Sequence, residues 1–207
     1  MNLLSHAKNI LVAPRREWTV IAAEPSSGAA LYTGYIAPLA VIAPVATFIG
    51  LSIIGISMPF IGTYRISPVN GLLQAALSFV FALAGIYLLA LIINALAPTF
   101  GGEKDPVAAL KLAGYSSTPA FIAGILIIFP MLGILQLLAA LYSLYLLYVG
   151  LPVLMKSPQQ KALPYTGAVI ACAIALGIVV GVIMSVLHPW ALGGAPSPAS
   201  ILQNQAP

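Results

Sequence analysis

Apolar residues in this chain do not alternate, and over most of its length they do not recur as one helical stripe; they run on. Four stretches, 32–62, 72–98, 112–155 and 162–192, are nearly uncharged apolar runs. Each meets or exceeds the ~20 residues that an α-helix needs to cross ~30 Å of hydrocarbon. The third, Leu112–Met155, holds 44 residues without a charge, about two crossings. It contains one plausible reversal, Phe129-Pro130-Met131-Leu132-Gly133. Proline there removes a backbone donor and clashes with the preceding turn, while glycine lets the chain reverse. The pattern therefore predicts an all-α integral membrane protein, a bundle of five transmembrane helices at about 32–58, 72–97, 112–129, 131–155 and 162–188. Together they form a membrane domain over 31–190.

The first 30 residues read differently. Leu3, Leu4, Ala7, Ile10 and Leu11 fall at helical spacing, with His6 and Lys8 elsewhere on the wheel. Pro14 and the cluster Arg15-Arg16-Glu17-Trp18 follow. This predicts a short amphipathic interfacial helix on the inner leaflet, where basic side chains meet anionic headgroups. Lys8, Arg15 and Arg16 interrupt the segment, so it lacks the apolar core of a cleavable signal. After Pro189 the chain turns to Gly193-Gly194, Pro196, Pro198 and Gln203-Asn204-Gln205, and 191–207 is expected to be a disordered tail.

Charge then orients the bundle. Of 207 residues, eight are Lys or Arg and four are Asp or Glu, with 61% hydrophobic and a mean hydropathy of +1.06. A soluble surface needs roughly a quarter of its residues charged. With five spans and the N-terminus inside, Lys8, Arg15, Arg16, Lys104, Lys111, Lys156 and Lys161 fall on inner segments and Arg65 on an outer one. That is the positive-inside bias. The expectation is a bacterial inner-membrane protein with a cytoplasmic N-terminus and an external C-terminus.

Catalytic chemistry is hard to place. No ionisable group falls at membrane depth within the expected spans, where pumps, ion-coupled carriers and intramembrane proteases hold theirs. The carboxylates Glu17, Glu24, Glu103 and Asp105 lie in or beside inner segments. Gly101-Gly102 precedes Glu103-Lys104 without phosphate-loop spacing. Cys172 is the only cysteine, and His6 and His188 fall on opposite sides of the expected membrane. No enzyme activity, metal, cofactor or nucleic-acid partner is expected.

Two features remain. In the fifth span Ala173, Gly177, Gly181 and Ser185 recur every four residues, which strips one face of bulk and suits close helix packing. Packing within the bundle is the commoner use; a homo-oligomer through this face is the alternative. The other feature is the second inner loop and the entry to the third span. Pro106 suits a first helical position, with Asp105 as its N-cap. Val107, Leu110 and Gly114 share a face, which predicts that 106–117 lies partly along the interface before the third span turns inward. Thr118-Pro119 is expected to kink the helix, with Ser116 or Ser117 meeting the freed carbonyls. Phe100, Gly101, Gly102, Lys111, Tyr115, Ser116, Thr118 and Pro119 are thus candidate residues for binding lipid or a partner, against the plainer reading of a structural kink.

Taken in order, Ala97-Pro-Thr-Phe-Gly-Gly102, Ala109-Leu-Lys-Leu112, Tyr115-Ser-Ser-Thr-Pro119 and Tyr142-Ser-Leu-Tyr-Leu-Leu-Tyr-Val-Gly-Leu-Pro152 resemble the prokaryotic branch of the Ypt-interacting protein (Yip) family. Pro14-x-x-x-Trp18-x-x-Ile21 with Glu24 fits the same branch. The resemblance implies a five-span fold with a cytosolic N-terminus. Its eukaryotic members imply binding of prenylated Rab-type GTPases in vesicle formation. This chain lacks the long hydrophilic N-terminal region and Asp-Leu-Tyr-Gly-Pro signature of those members, so the resemblance bears on fold more than on function.

The expected function is a non-enzymatic membrane scaffold or organiser that binds membrane lipids or a protein partner at its cytoplasmic face. The alternative is a channel or carrier for a small neutral or apolar solute. Its basis is the hydroxyl row Tyr142, Ser143 and Tyr145, with Gln136 and Asn94.

Overall fold

Two helices precede the spans, α1 (Leu3–Val12) and α2 (Pro14–Ala23). The computed structural model describes residues 3–58, 62–128 and 132–191, with side chains of 56–64, 184 and 186–191 left aside. Pro14 opens α2, where its missing N–H costs nothing. Ala7 and Ile10 of α1, and Glu17, Trp18 and Ile21 of α2, are buried. Both helices dock on the bundle. Trp18 is 0% exposed, so where one interfacial helix is expected the structure has two short helices packed on the bundle.

Among the described residues, five helices are long and apolar enough to cross a membrane: Gly28–Ile54, Pro68–Phe100, Pro106–Ile128, Gly133–Leu154 and Gln159–Ile183, the last continuing to Ala191. The first is irregular for a local reason. It carries Pro38 and Pro44, which cannot donate to the carbonyls four residues earlier. A widened π turn over Tyr32–Ile36 precedes Pro38, and a break at Val41 precedes Pro44. The span ends in a second wide turn, Ile49–Ile54, and Gly55 at φ 84°. Beyond it, β1 (Ile56–Met58) and β2 (Gly62–Tyr64) form a short antiparallel ladder with Ile56 opposite Tyr64.

Ser67 caps the second span by accepting from the Asn70 N–H at 3.3 Å. That span closes on a tight turn, Ala97–Phe100, with Gly101 left-handed at φ 75°. Asp105 caps the third as the sequence predicts, its Oδ1 accepting from Val107 N at 2.9 Å and Ala108 N at 3.0 Å. The third span begins earlier than its uncharged run because it contains Lys111. Every residue from Ala108 to Ser116 is buried. A helix covered on all sides is not lying along an interface, so the expected interfacial course of 106–117 is overturned.

The spans alternate in direction, which brings α1, α2 and the loops 101–105 and 155–158 to one end. Glu103 N–H donates to Met155 O at 2.9 Å, and Lys156 Nζ to Glu103 Oε2 at 2.6 Å. That bond raises the pKa of the Lys156 ammonium. Lys156 itself takes φ 51°, the turn that ends the fourth span. The largest fully buried side chains, Trp18, Tyr35, Tyr115 and Tyr165 among them, cluster toward this end. Arg65 lies beyond the opposite end of the spans. The expected chain reversal at Phe129–Met131 and the expected tail beyond Ala191 lie outside the described residues.

Candidate functional site

Charge and aromatic rings converge where α1 and α2 meet the bundle. His6 Nδ1 lies 2.6 Å from Glu17 Oε1, and His6 Nε2 lies 3.2 Å from Glu24 Oε2. With a proton on each nitrogen, the ring donates to both carboxylates; a neutral ring can donate to only one. Lys111 completes the group. Its Nζ donates to Ile21 O at 2.8 Å and Glu24 O at 2.5 Å. These are carbonyls at the C-terminal end of α2, where a helix leaves acceptors unmet and favours a cation. Two formal anions, one lysine and one imidazole therefore sit together over the bundle, and Lys111 ties α2 to the third span.

Rings fill the space beneath. Tyr115 is 1% exposed and packs on Tyr35 at a centroid distance of 4.1 Å, with Trp18 at 6.4 Å and His6 at 5.8 Å edge-on. Tyr35 OH lies 2.8 Å from Thr118 Oγ1. Tyr142 OH donates to Leu11 O at 2.7 Å, a second bond from bundle to hairpin. Gly150 lets the fourth span approach: a Cβ there would meet Leu112 Cδ1 at 2.5 Å and Trp18 Cε2 at 2.7 Å. Trp18 Nε1 is buried without a hydrogen-bond partner among the described residues.

The structure separates the sequence candidates. Lys111 and Tyr115 are internal fastenings of the fold, so neither is a free surface charge or a headgroup anchor. Lys111 lies in the second turn of the third span, at its charged end, where the carbonyls of Ile21 and Glu24 meet its ammonium. The Thr118-Pro119 kink is present, with the helix broken at Ser117. Thr118 Oγ1 donates to Tyr115 O at 2.8 Å, the carbonyl that Pro119 cannot serve, and Ser116 and Ser117 donate to Ala113 O at 3.3 and 2.8 Å.

Phe100 stacks on Tyr165 at 4.9 Å and 10°. Gly101 supplies the left-handed cap, and a Cβ on Gly102 would sit 2.7 Å from Met155 O. In the fifth span nothing lies within 4 Å of a Cβ built on Gly177 or Gly181, and Ser185 Oγ bonds only its own helix at Val182 O. The small-residue face that starts at Ala173 therefore meets no neighbouring helix at its glycines among the described residues. The hydroxyl row is also spent locally: Tyr142 holds α1, and Ser143 Oγ donates to Ala139 O at 3.1 Å.

Two grooves open at this end. One, of about 370 Å³, has Arg15, Tyr148 and Gln159 as polar lining and Val149, Pro152 and Val153 as apolar lining. The other, of about 360 Å³, lies along α1 and α2 and is lined by Ser5, His6, Asn9, Arg16 and Glu17 with Ala13 and Val20. Sequence reading missed Glu17 and Glu24 as a pair. Their seven-residue separation, two helical turns, was the available signal.

Among curated proteins, the chain is similar to the "Inner membrane protein YohC" of Escherichia coli strain K12, 26% identical over 174 residues, covering 83% of this chain and 89% of that protein. The protein of the same name from Escherichia coli O6:H1 matches equally. No solved structure matches. The Yip1 domain family model matches residues 8–193, nearly the whole chain and all five spans. With that match and a five-helix membrane architecture, the chain belongs to the Yip1 domain family.

Proposed function

We propose that this protein is a non-enzymatic organiser of the bacterial inner membrane that binds anionic lipid or a protein partner at its charged end. In this reading that end faces the cytoplasm and the C-terminus lies outside. The observation that carries it is the division of charge. Lys8, Arg15, Arg16, Lys104, Lys111, Lys156 and Lys161 and all four carboxylates belong to α1, α2, the two loops and the helix entries of one end, and Arg65 to the other. The positive-inside bias orients such a bundle, and anionic lipid of the inner leaflet is drawn to exposed basic groups. The relatives' printed description as inner membrane proteins supports the location. Because the hairpin is fastened to the third and fourth spans, partner binding at α1 and α2 is coupled to the bundle.

Purification in mild detergent followed by mass spectrometry of retained lipids and proteins tests the binding. Enrichment of anionic lipid, or of a defined protein partner, is expected; a preparation enriched in neither rejects the reading. Orientation is tested by single cysteines in a Cys172→Ser background. Cysteine at Glu103 or Gln159 should label only from the cytoplasm, and at Arg65 only from outside. Labelling of Gln159 from outside rejects the topology.

A further inference from the structure

The two grooves at the charged end differ in chemistry. In the α1–α2 groove, Glu17 shares the wall with Arg16 and His6. The groove between α2, the last turns of the fourth span and the start of the fifth has no carboxylate in its lining. Arg15 is exposed, and no carboxylate pairs with it among the described residues. Gln159 is the first residue of the fifth helix, whose unpaired N–H groups favour an anion. Tyr148 adds a phenol, 39% exposed. Beside these polar groups, Val149, Pro152 and Val153 of the fourth span form an apolar wall of the groove.

We infer that this groove binds the phosphate of one membrane glycerophospholipid, with preference for anionic headgroups. Arg15 takes the phosphate oxygens, since a guanidinium matches that geometry and stays charged. Gln159 and Tyr148 offer further donors, and the apolar wall receives the glycerol end and the first acyl carbons. The site lies where the apolar spans give way to the charged end, the depth at which headgroup phosphates reside. A soluble phosphate shares the recognition chemistry but has no use for the wall formed by Val149, Pro152 and Val153. The inference deepens the membrane-organiser reading and rests on it.

The test is native mass spectrometry of the full chain released from mixed phosphatidylglycerol and phosphatidylcholine nanodiscs, comparing wild type with Arg15→Gln, Gln159→Glu and Arg16→Gln. Arg15→Gln and Gln159→Glu should each lower retained phosphatidylglycerol about fivefold, while Arg16→Gln, the same charge loss one residue away, leaves it near wild type. Gln159→Glu is isosteric and exposed, so its effect reports charge in the groove rather than folding. Equal losses for Arg15→Gln and Arg16→Gln overturn the groove and leave general attraction of lipid to the charged end standing. No retention by wild type overturns the lipid-binding reading itself. A third arm adds inorganic phosphate at millimolar concentration; displacement of the lipid by phosphate alone reassigns the groove to a soluble anion.

Discussion

Gly150 and Gly181 are both glycines in apolar helices, and they stand in opposite circumstances. Around Gly150, Leu112 and the Trp18 ring leave no room for a methyl group. Around Gly181 there is open space, and Ile174, Ile178, Val179 and Val182 are 54–63% exposed along the same helix. The difference follows the polar groups. Lipid is as apolar as leucine, so apolar area alone does not draw helices together in a membrane; close packing and interhelical hydrogen bonds do. At the charged end Lys111, Tyr142 and Tyr35 each bond across elements. The distal half of the fifth span has no such fastening among its described residues.

The largest expected effect comes from removing the ring on which that end is built. Tyr115→Ala should lose about 3–5 kcal/mol, because Tyr35, Trp18 and His6 all pack on it and the cavity cannot close. Thermal melting in detergent reads it; an unchanged midpoint would place the ring at the lipid surface after all. Next is Lys111→Met, which keeps the stem and removes the ammonium. It leaves the carbonyls of Ile21 and Glu24 without the ammonium that they accept from, at about 2–4 kcal/mol. Tryptic cleavage at Arg15 and Arg16 should accelerate as α2 comes loose, and cleavage at the wild-type rate would show that Lys111 is not what holds it. Gly150→Ala ranks third, at about 1–3 kcal/mol, since Trp18 or Leu112 must move. A variant as stable as wild type would mean that the Trp18 ring gives way freely.

Part of this was legible in the sequence, and the physics explains which part. Length and apolarity decide whether a helix can span, so the five spans and the Asp105-Pro106 helix start were readable. The Thr118-Pro119 kink was readable too, because proline acts through its own missing donor. What a charge-free run could not show is that Lys111 is buried within the third helix. A buried ammonium is stable only if acceptors meet it, and those belong to Ile21 and Glu24, about 90 residues earlier. Tyr115 misled for the same reason. A tyrosine near a span entry suits a headgroup belt, and only tertiary contact with Trp18 and Tyr35 moves it to the core. The glycine spacing of the fifth span was visible, but spacing alone carries no information about a neighbour.

That spacing supports the smallest and most diagnostic expected effect. A four-residue repeat of small residues suggests a packed face, and a packed face would lose stability on any added bulk. Among the described residues, however, a methyl group on Gly177 or Gly181 meets nothing within 4 Å. Alanine also restricts the unfolded backbone and favours helix, by about 0.4–1 kcal/mol at a compatible site. Gly177→Ala and Gly181→Ala should therefore leave the melting midpoint unchanged or raise it slightly, and the double variant should add the two effects. A fall of more than about 1 kcal/mol in either single variant, with no neighbour among the described residues to account for it, points to a second copy against this face. Native mass spectrometry would then show a wild-type dimer that the alanine variants lose. Stable variants of unchanged mass assign the face to lipid, and confine the specific packing of this molecule to the end where its charges are.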